Sequence, residues 1–299
     1  MIKRTLYFGN PAYLKTRNGQ LLIEQPDKEE SKEVPIEDIG FILLDHQQIT
    51  LTQGLIARLM EKNVALISCD ATHHPDGLML PIEGHTLQSA RYRVQAEASV
   101  PLKKQLWQQT VSAKIENQAA VLRFYGLPHA FLTELSKNVK SGDSDNAEAT
   151  AAVYYWKHLF SSIPGFVRER FGPEPNNLLN YGYAILRAVT ARSLVSSGLM
   201  PTLGIFHRSQ YNAYCLADDI MEPYRPFVDM LIYPMVQTQP EMLELNPGIK
   251  RTLLGVPAMD VYMQGEKSPL MNAMQRTTTS LARCFEGKQR KMLYPQLKV

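Results

Sequence analysis

The stretch "RTLYFGNPAYLKTRNGQLLIEQ", residues 4–25, carries apolar runs on either side of Arg17-Asn18-Gly19-Gln20. Asn-Gly between two such runs is the strongest short hairpin signal, because both turn residues tolerate positive φ. Working outward, "EVPIEDIGFILLD" (33–45) reads as a buried strand rich in Ile and Leu. In "TLTQGLIARLMEKN" (50–63), Leu55, Leu59 and Met60 recur at helical spacing before a Lys-Asn stop. "VALISCD" (64–70) and "GLMLPIE" (77–83) predict two more strands. Residues 1–85 therefore predict a small β-sheet-rich domain with one helix.

The character changes at "HTLQSARYRVQAEASVP" (85–101), whose polar, irregular composition predicts a linker over 86–100. Beyond it the helical period dominates. Pro101 opens a run that puts Leu102, Leu106, Trp107, Val111 and Ile115 on one face, ending near Gly126. The polar loop Lys140 to Asn146 is full of cap-forming residues and predicts a helix from Ala147 to about Phe160. "PNNLLNYGYAILRAVTARSLVSSGL" (175–199) is bounded by Pro175-Asn176 and Gly198. The fold class is α+β: a β-sheet-rich N-terminal domain, then a larger all-α-helical domain over 101–299.

The bulk composition narrows the function. Thirty-two basic against 29 acidic residues give a net charge of +3, which permits local nucleic-acid-binding patches without announcing them. Cys69, Cys215 and Cys284 are far apart and match no metal-ligand spacing, so they read as reduced thiols of a cytoplasmic protein. The N-terminus lacks the apolar stretch of a signal peptide, and no later segment is long and apolar enough to span a membrane. A soluble protein with no membrane role is expected. "CDATHHP" (69–75) lacks a standard zinc spacing and reads as an ordinary loop.

The chemistry concentrates in "CLADDIMEPYRPFVD" (215–229), where Asp218, Asp219 and Glu222 stand in an apolar segment. Carboxylates held there repel one another and lose hydration unless something positive offsets the cost. Asp219 and Glu222 lie at i, i+3, on one helix face, and Pro223 is expected to stop that helix and force Glu222 out of helical geometry. Alternatively, the acids form a solvated stripe paired by Arg208 or Arg225. Glu148 shares the apolar stripe of its helix, although an acid in a first turn also suits the helix dipole. His207, in "LGIFHRSQ" (203–210), precedes the acid-bearing helix. Singly each has an ordinary structural reading; together they make an oxygen and nitrogen ligand set suited to Mg²⁺ or Mn²⁺.

The segments "VPIEDIGFILLD", "DGLMLP", "AEATAAVYYW", "NNLLNYGYAILRAV" and "GIFHRSQYNAYCLADDIMEPYRPFVD" occur in an order that resembles the integrase subunit of CRISPR adaptation. The "DIMEPYRPFVD" wording is similar to versions from type II systems, and the likeness covers nearly the whole chain. The resemblance implies a β-domain joined to a helical catalytic domain and a homodimer, with two dimers clamping a dimer of a small companion adaptation protein. It further implies one Mg²⁺ or Mn²⁺ ion held by Glu148, His207 and Glu222, which would also be the catalytic residues, with Asp219 as a nearby acid. Asp218 is an additional acid beside that pattern, without an assigned role.

The activity implied is insertion of spacer DNA at the CRISPR repeat, by attack of a 3′-hydroxyl on a phosphodiester. With water as nucleophile, the same site would nick or release branched DNA. Arg168 and Arg170 of "FVRERFGPEPNN", with Arg225, are the candidate DNA contacts. "RTTTSLARCFEGKQRKM" (276–292) is either a phosphate-tracking stripe or a solvated tail. Further partners implied by a type II system are its effector nuclease and an accessory adaptation protein. Two rival readings stand beside this one: a metal-dependent structure-specific DNA nuclease, and a non-catalytic DNA-end-binding scaffold. The sheet strands offer apolar surface for a symmetric partner, so residues 1–85 are expected to form the dimer.

Overall fold

The computed structural model describes residues 3–238 and 243–298. The chain divides into two compact units, Met1–Thr86 and Leu87–Val299.

The first unit contains β1 (Arg4–Phe8), β2 (Ala12–Arg17), β3 (Gln20–Glu24), β4 (Lys32–Pro35), β5 (Ile39–Leu44), β6 (Ile49–Leu51), α1 (Gln53–Glu61), β7 (Ala65–Cys69) and β8 (Pro75–Met79). The Asn-Gly signal folds as expected: Asn18 and Gly19 take φ of 50° and 75°, and β2 pairs antiparallel with β3. The strands form two sheets, in the orders β4-β3-β2-β6 and β1-β5-β7-β8. Leu14 and Leu21 of one sheet, Ile39 and Ile42 of the other, and Leu55 and Leu59 of α1 share one fully buried core. "EVPIEDIGFILLD" is not one strand, because a 3₁₀ turn at Ile36–Asp38 divides it into β4 and β5 of different sheets. Pro35 lacks the N–H that would continue the ladder.

The second unit is built on α2 (Gln88–Ala96), α3 (Val100–Phe124), α4 (Ala130–Lys137), α5 (Ala147–Leu159), α6 (Asn176–Ser196), α7 (Cys215–Met221), α8 (Arg225–Thr238), α9 (Pro247–Leu253) and α10 (Leu270–Phe285). Residues 86–100 hold helix α2 where a linker was expected. Arg91 explains the difference, bonding Glu286 at 2.8 Å and the Ser197 carbonyl at 2.8 Å, as does buried Gln95, which reaches the Met200 and Leu203 carbonyls. Polar residues thus bind α2 to distant backbone that no local pattern reveals. An antiparallel hairpin, β9 (Asp260–Met263) and β10 (Glu266–Pro269), adds strand structure to a domain expected to be all helical. It turns at Gln264-Gly265, both with positive φ.

Helix α3 forms the spine of this unit. Leu106, Trp107, Val111 and Ile115 are buried on its expected face, and Ser99 caps its start by accepting from the Leu102 N–H. Asn117 is also buried there; it donates to the carbonyls of Pro223 and Pro295 and accepts from Leu297 N–H. Pro223 does not break the acid-bearing helix. Glu222 keeps helical dihedrals (φ −51°, ψ −47°), and the chain runs through a 3₁₀ turn at Glu222–Tyr224 into α8. A proline at the first positions of a turn gives up an N–H that has no helical partner anyway.

Candidate active site

The loop between α6 and α7 folds around one carboxylate. Asp219 is fully buried, and its oxygens accept from the backbone N–H groups of Ile205 (2.7 Å), Phe206 (2.9 Å) and His207 (3.2 Å) and bond His207 Nδ1 (2.6 Å). Gly204 permits this wrap, since a Cβ there would collide with the His207 carbonyl and Asp219 Oδ2. The Phe206 ring stacks on Trp107 at 4.3 Å, and both rings meet His207 edge-on. His207 is thus oriented by a carboxylate and two aromatic rings. The Asp219 hydrogen bond raises its pKa, against the opposing effect of burial. Burial in turn pushes Asp219 upward, against the pull of its His207 and backbone donors.

Glu148 enters from the first turn of α5. The cap is Asp143, which accepts from Ala147 and Glu148 N–H, while Asn146 adopts a positive φ of 56°. Glu222 stands at the α7–α8 junction, 3% exposed, so its charge must be answered inside the protein. Lys114 of α3 answers it from one side, with Nζ 2.7 Å from Glu148 Oε1 and 2.5 Å from Glu222 Oε2. Both contacts are charge-assisted: Lys114 donates a hydrogen bond to Glu148 Oε1, and its ammonium closes directly on Glu222 Oε2. Arg225 answers Glu222 from the other side at 2.9 Å and lies over the Tyr183 ring. Burial alone would raise the Glu222 pKa, but Arg225 and Lys114 outweigh it and hold it below the usual range. Burial likewise acts to lower Lys114, and Glu222 and Glu148 reverse the sign, keeping the ammonium charged.

Asp218, to which the sequence assigned no role, is buried. Arg187 of α6 grips both its oxygens, at 2.6 and 3.0 Å, and Asn212 adds a third bond. The three acids of α7 and its junction therefore do not rely on one shared cation: each has its own partners. Among the described residues, no three His, Cys, Asp or Glu side chains converge closely enough to hold a metal ion as they stand.

Glu148, His207, Glu222, Lys114, Arg168 and Arg225 line one cavity of about 930 Å³. Trp156, Phe160 and Phe166 form an aromatic wall of the same cavity. Asp229 lines the cavity too; it accepts from the hydroxyls of Tyr155 and Tyr183, and burial pushes its carboxyl up to about 7. Arg168 is partly committed, bonding Asn176 and Asn180 across the loop ahead of α6. Arg170 does not line the cavity; it is exposed and lies over the Phe171 ring. In the C-terminal basic stretch, Arg276 and Lys288 are ion-paired to Glu266 and Glu286. The loop at 69–75 is ordinary, with Asp70 bonding the backbone of Thr72 and His74.

Sequence reading missed Lys114, Arg187 and Asp229. Lys114 left a faint signal: it follows Val111 by one helical turn, on the face that Trp107 and Ile115 bury.

The two units and a cavity lined by acids, an imidazole and basic side chains define the class: an α+β protein with an acid–imidazole site set among cations. The family model for CRISPR associated protein Cas1 matches residues 6–244, and the chain belongs to that family. The CRISPR-associated endonuclease Cas1 of Neisseria meningitidis is 36% identical, covering 98% of this chain and 95% of its own. That of Francisella tularensis subsp. novicida is 24% identical, with 92% and 93% covered. Among solved structures, a casposase bound to an integration product superposes with a TM-score of 0.79 at 23% identity, covering 98% of this chain and 92% of its own. A Cas1 protein from Thermotoga maritima gives 0.74 at 17% identity, with 96% and 98% covered, a likeness of fold. Among the described residues, no helix is long and apolar enough to cross a membrane.

Proposed function

We propose that this Cas1-family chain is a metal-dependent DNA integrase of CRISPR adaptation, of the type II kind, joining the 3′-hydroxyl of a DNA fragment to a phosphodiester of the repeat. The observation that carries the reading is the meeting of Glu148 and Glu222 around one positive charge in a cavity that His207 also lines. Support also comes from the relative named an endonuclease and the structural neighbour bound to an integration product. Another neighbour was solved as a Cas6-RT-Cas1–Cas2 complex, which supports a small companion adaptation protein as partner. We extend the proposal to a homodimer, and to the effector nuclease and accessory adaptation protein of such a system.

By donor chemistry the set fits Mg²⁺ or Mn²⁺, with two carboxylates and an imidazole whose Nδ1 is already tied to Asp219; Lys114 now takes both carboxylates, and the three side chains would have to draw together around an ion. An ion held by Glu148, His207 and Glu222 would polarise the attacking hydroxyl and offset the phosphoryl charge. The chain's own residues supply the rest. Arg225 and Arg168 place positive charge at the cavity where anionic oxygens accumulate in transesterification. Asp219 fixes the His207 ring, which as a neutral group offers Nε2 to a metal and as a charged group carries a proton for the departing oxygen. Trp156, Phe160 and Phe166 give that cavity an apolar aromatic wall. With water in place of the 3′-hydroxyl, the same groups support nicking.

The test is strand transfer of a labelled fragment into a repeat-containing duplex with Mn²⁺. Glu148→Ala, His207→Ala and Glu222→Ala should each abolish joining while DNA binding persists. Joining by any of them at the wild-type rate removes that residue from the site. A 3′-dideoxy donor that leaves nicking intact and stops joining separates the two reactions.

A further inference from the structure

Lys114 is the cation at the centre of the site that no motif announced. Its side chain is 11% exposed, and its ammonium contacts both carboxylates proposed to hold a metal. A divalent ion drawing on Glu148 and Glu222 would need the same oxygens, and two positive charges cannot share them closely at low dielectric without strong repulsion. Arg225 is the less movable of the two flanking cations, held against Glu222 and laid over the Tyr183 ring. Lys114 hangs on a flexible four-carbon stem that lines the cavity, so its ammonium can swing away from the two carboxylates.

We propose that Lys114 is an internal counter-ion standing in for the metal. It holds Glu148 and Glu222 together while the site is metal-free, gives way when a divalent ion binds, and then offers its charge to a DNA phosphate in the cavity. The inference rests on the metal-dependent reading above. It makes Lys114 a positioning residue that couples two ligands. Displacement weakens metal binding when no phosphate is there to receive the ammonium, and DNA strengthens it. By reciprocity, the metal strengthens DNA binding by the same factor.

The test is calorimetric titration of Mn²⁺ into the full chain, as wild type and as Lys114→Met, with and without a short DNA duplex. Lys114→Met should melt lower in EDTA, because two carboxylates lose their shared counter-charge. It should also bind Mn²⁺ about tenfold more tightly without DNA, within the usual span of such couplings. DNA should tighten Mn²⁺ binding by wild type and leave that of the variant unchanged. Equal or weaker Mn²⁺ binding by Lys114→Met overturns the proposal, since Lys114 would then hold the carboxylates for the metal. If the variant fails to fold, the wild type decides: reductive dimethylation of Lys114, followed by mass spectrometry, should accelerate several-fold with Mg²⁺, and an unchanged rate overturns the proposal. Wild type that takes no Mn²⁺ at all sinks the metal reading itself; Mn²⁺ binding with an unresponsive Lys114 sinks only this inference.

Discussion

Replacing Asp219 by Asn tests whether this buried carboxylate acts on the site through His207. Oδ2 holds the N–H groups of Ile205 and Phe206, while Oδ1 holds the His207 N–H and bonds Nδ1. An Asn carbonyl keeps one pair of donors and turns its NH₂ toward the other. With Ile205 and Phe206 kept, the His207 N–H is orphaned and Nδ1 must become an acceptor, which moves the ring proton to Nε2. Two charge-assisted bonds are lost, at about 1.5–3 kcal/mol each, and one ordinary bond returning about 1 kcal/mol replaces them. The net destabilisation is about 3 kcal/mol, or roughly 6–12 °C in Tm for a unit of this size. A protonated Nε2 has no lone pair for a metal, so on the proposed metal reading Mn²⁺ affinity should fall about 10- to 100-fold although none of the proposed ligands was changed. Calorimetric Mn²⁺ titration, melts in EDTA and ¹⁵N spectra of the imidazole read the three effects. A variant that binds Mn²⁺ within about twofold of wild type, with Nε2 unprotonated, refutes the reasoning that assigns Asp219 this role.

Asp218→Asn should lose about 1 kcal/mol in urea unfolding, because the Arg187 fork is partly exposed, and should leave Mn²⁺ titration unchanged; a stability identical to wild type contradicts the buried pair. Asp229 has a raised pKa of about 7, so its folded form binds the proton more tightly than the unfolded chain does. Its contribution to stability is fully present below the ordinary carboxylate pKa and is lost as pH rises through about 7. Asp229→Asn should therefore gain on wild type between pH 4 and 7, by up to about 4 kcal/mol, and parallel stability curves would argue against it. Gly182→Ala drives a Cβ into Val228 where α6 meets α8 and should cost about 1–3 kcal/mol in chemical denaturation. Adding Val228→Ala should recover part of that loss; a further loss from the pair would show that the crowding lies elsewhere.

Much of the fold was legible in the sequence, because it rests on short-range rules. The Asn18-Gly19 hairpin follows from backbone sterics, and the buried face of α3 from a 3.6-residue period. Glu148, His207 and Glu222 were singled out by the resemblance of their motifs, the residues alone offering a looser acid–imidazole group that included Asp219; in the structure the three line one cavity. What the sequence could not decide is which positive charge meets which acid. Lys114 reaches Glu148 across 34 residues and Arg187 reaches Asp218 across 31, so neither pair belongs to any local pattern. Pro223 shows the same limit from the other side. Its local rule predicts a stop, yet in the folded chain its carbonyl accepts from Asn117 and its missing N–H falls where a new turn begins, so the helix continues and delivers Glu222 to the cavity. Periodicity and turn chemistry act within a few residues, whereas the pairing of buried charges is a tertiary decision, made when packing removes the water that would otherwise have satisfied each one alone.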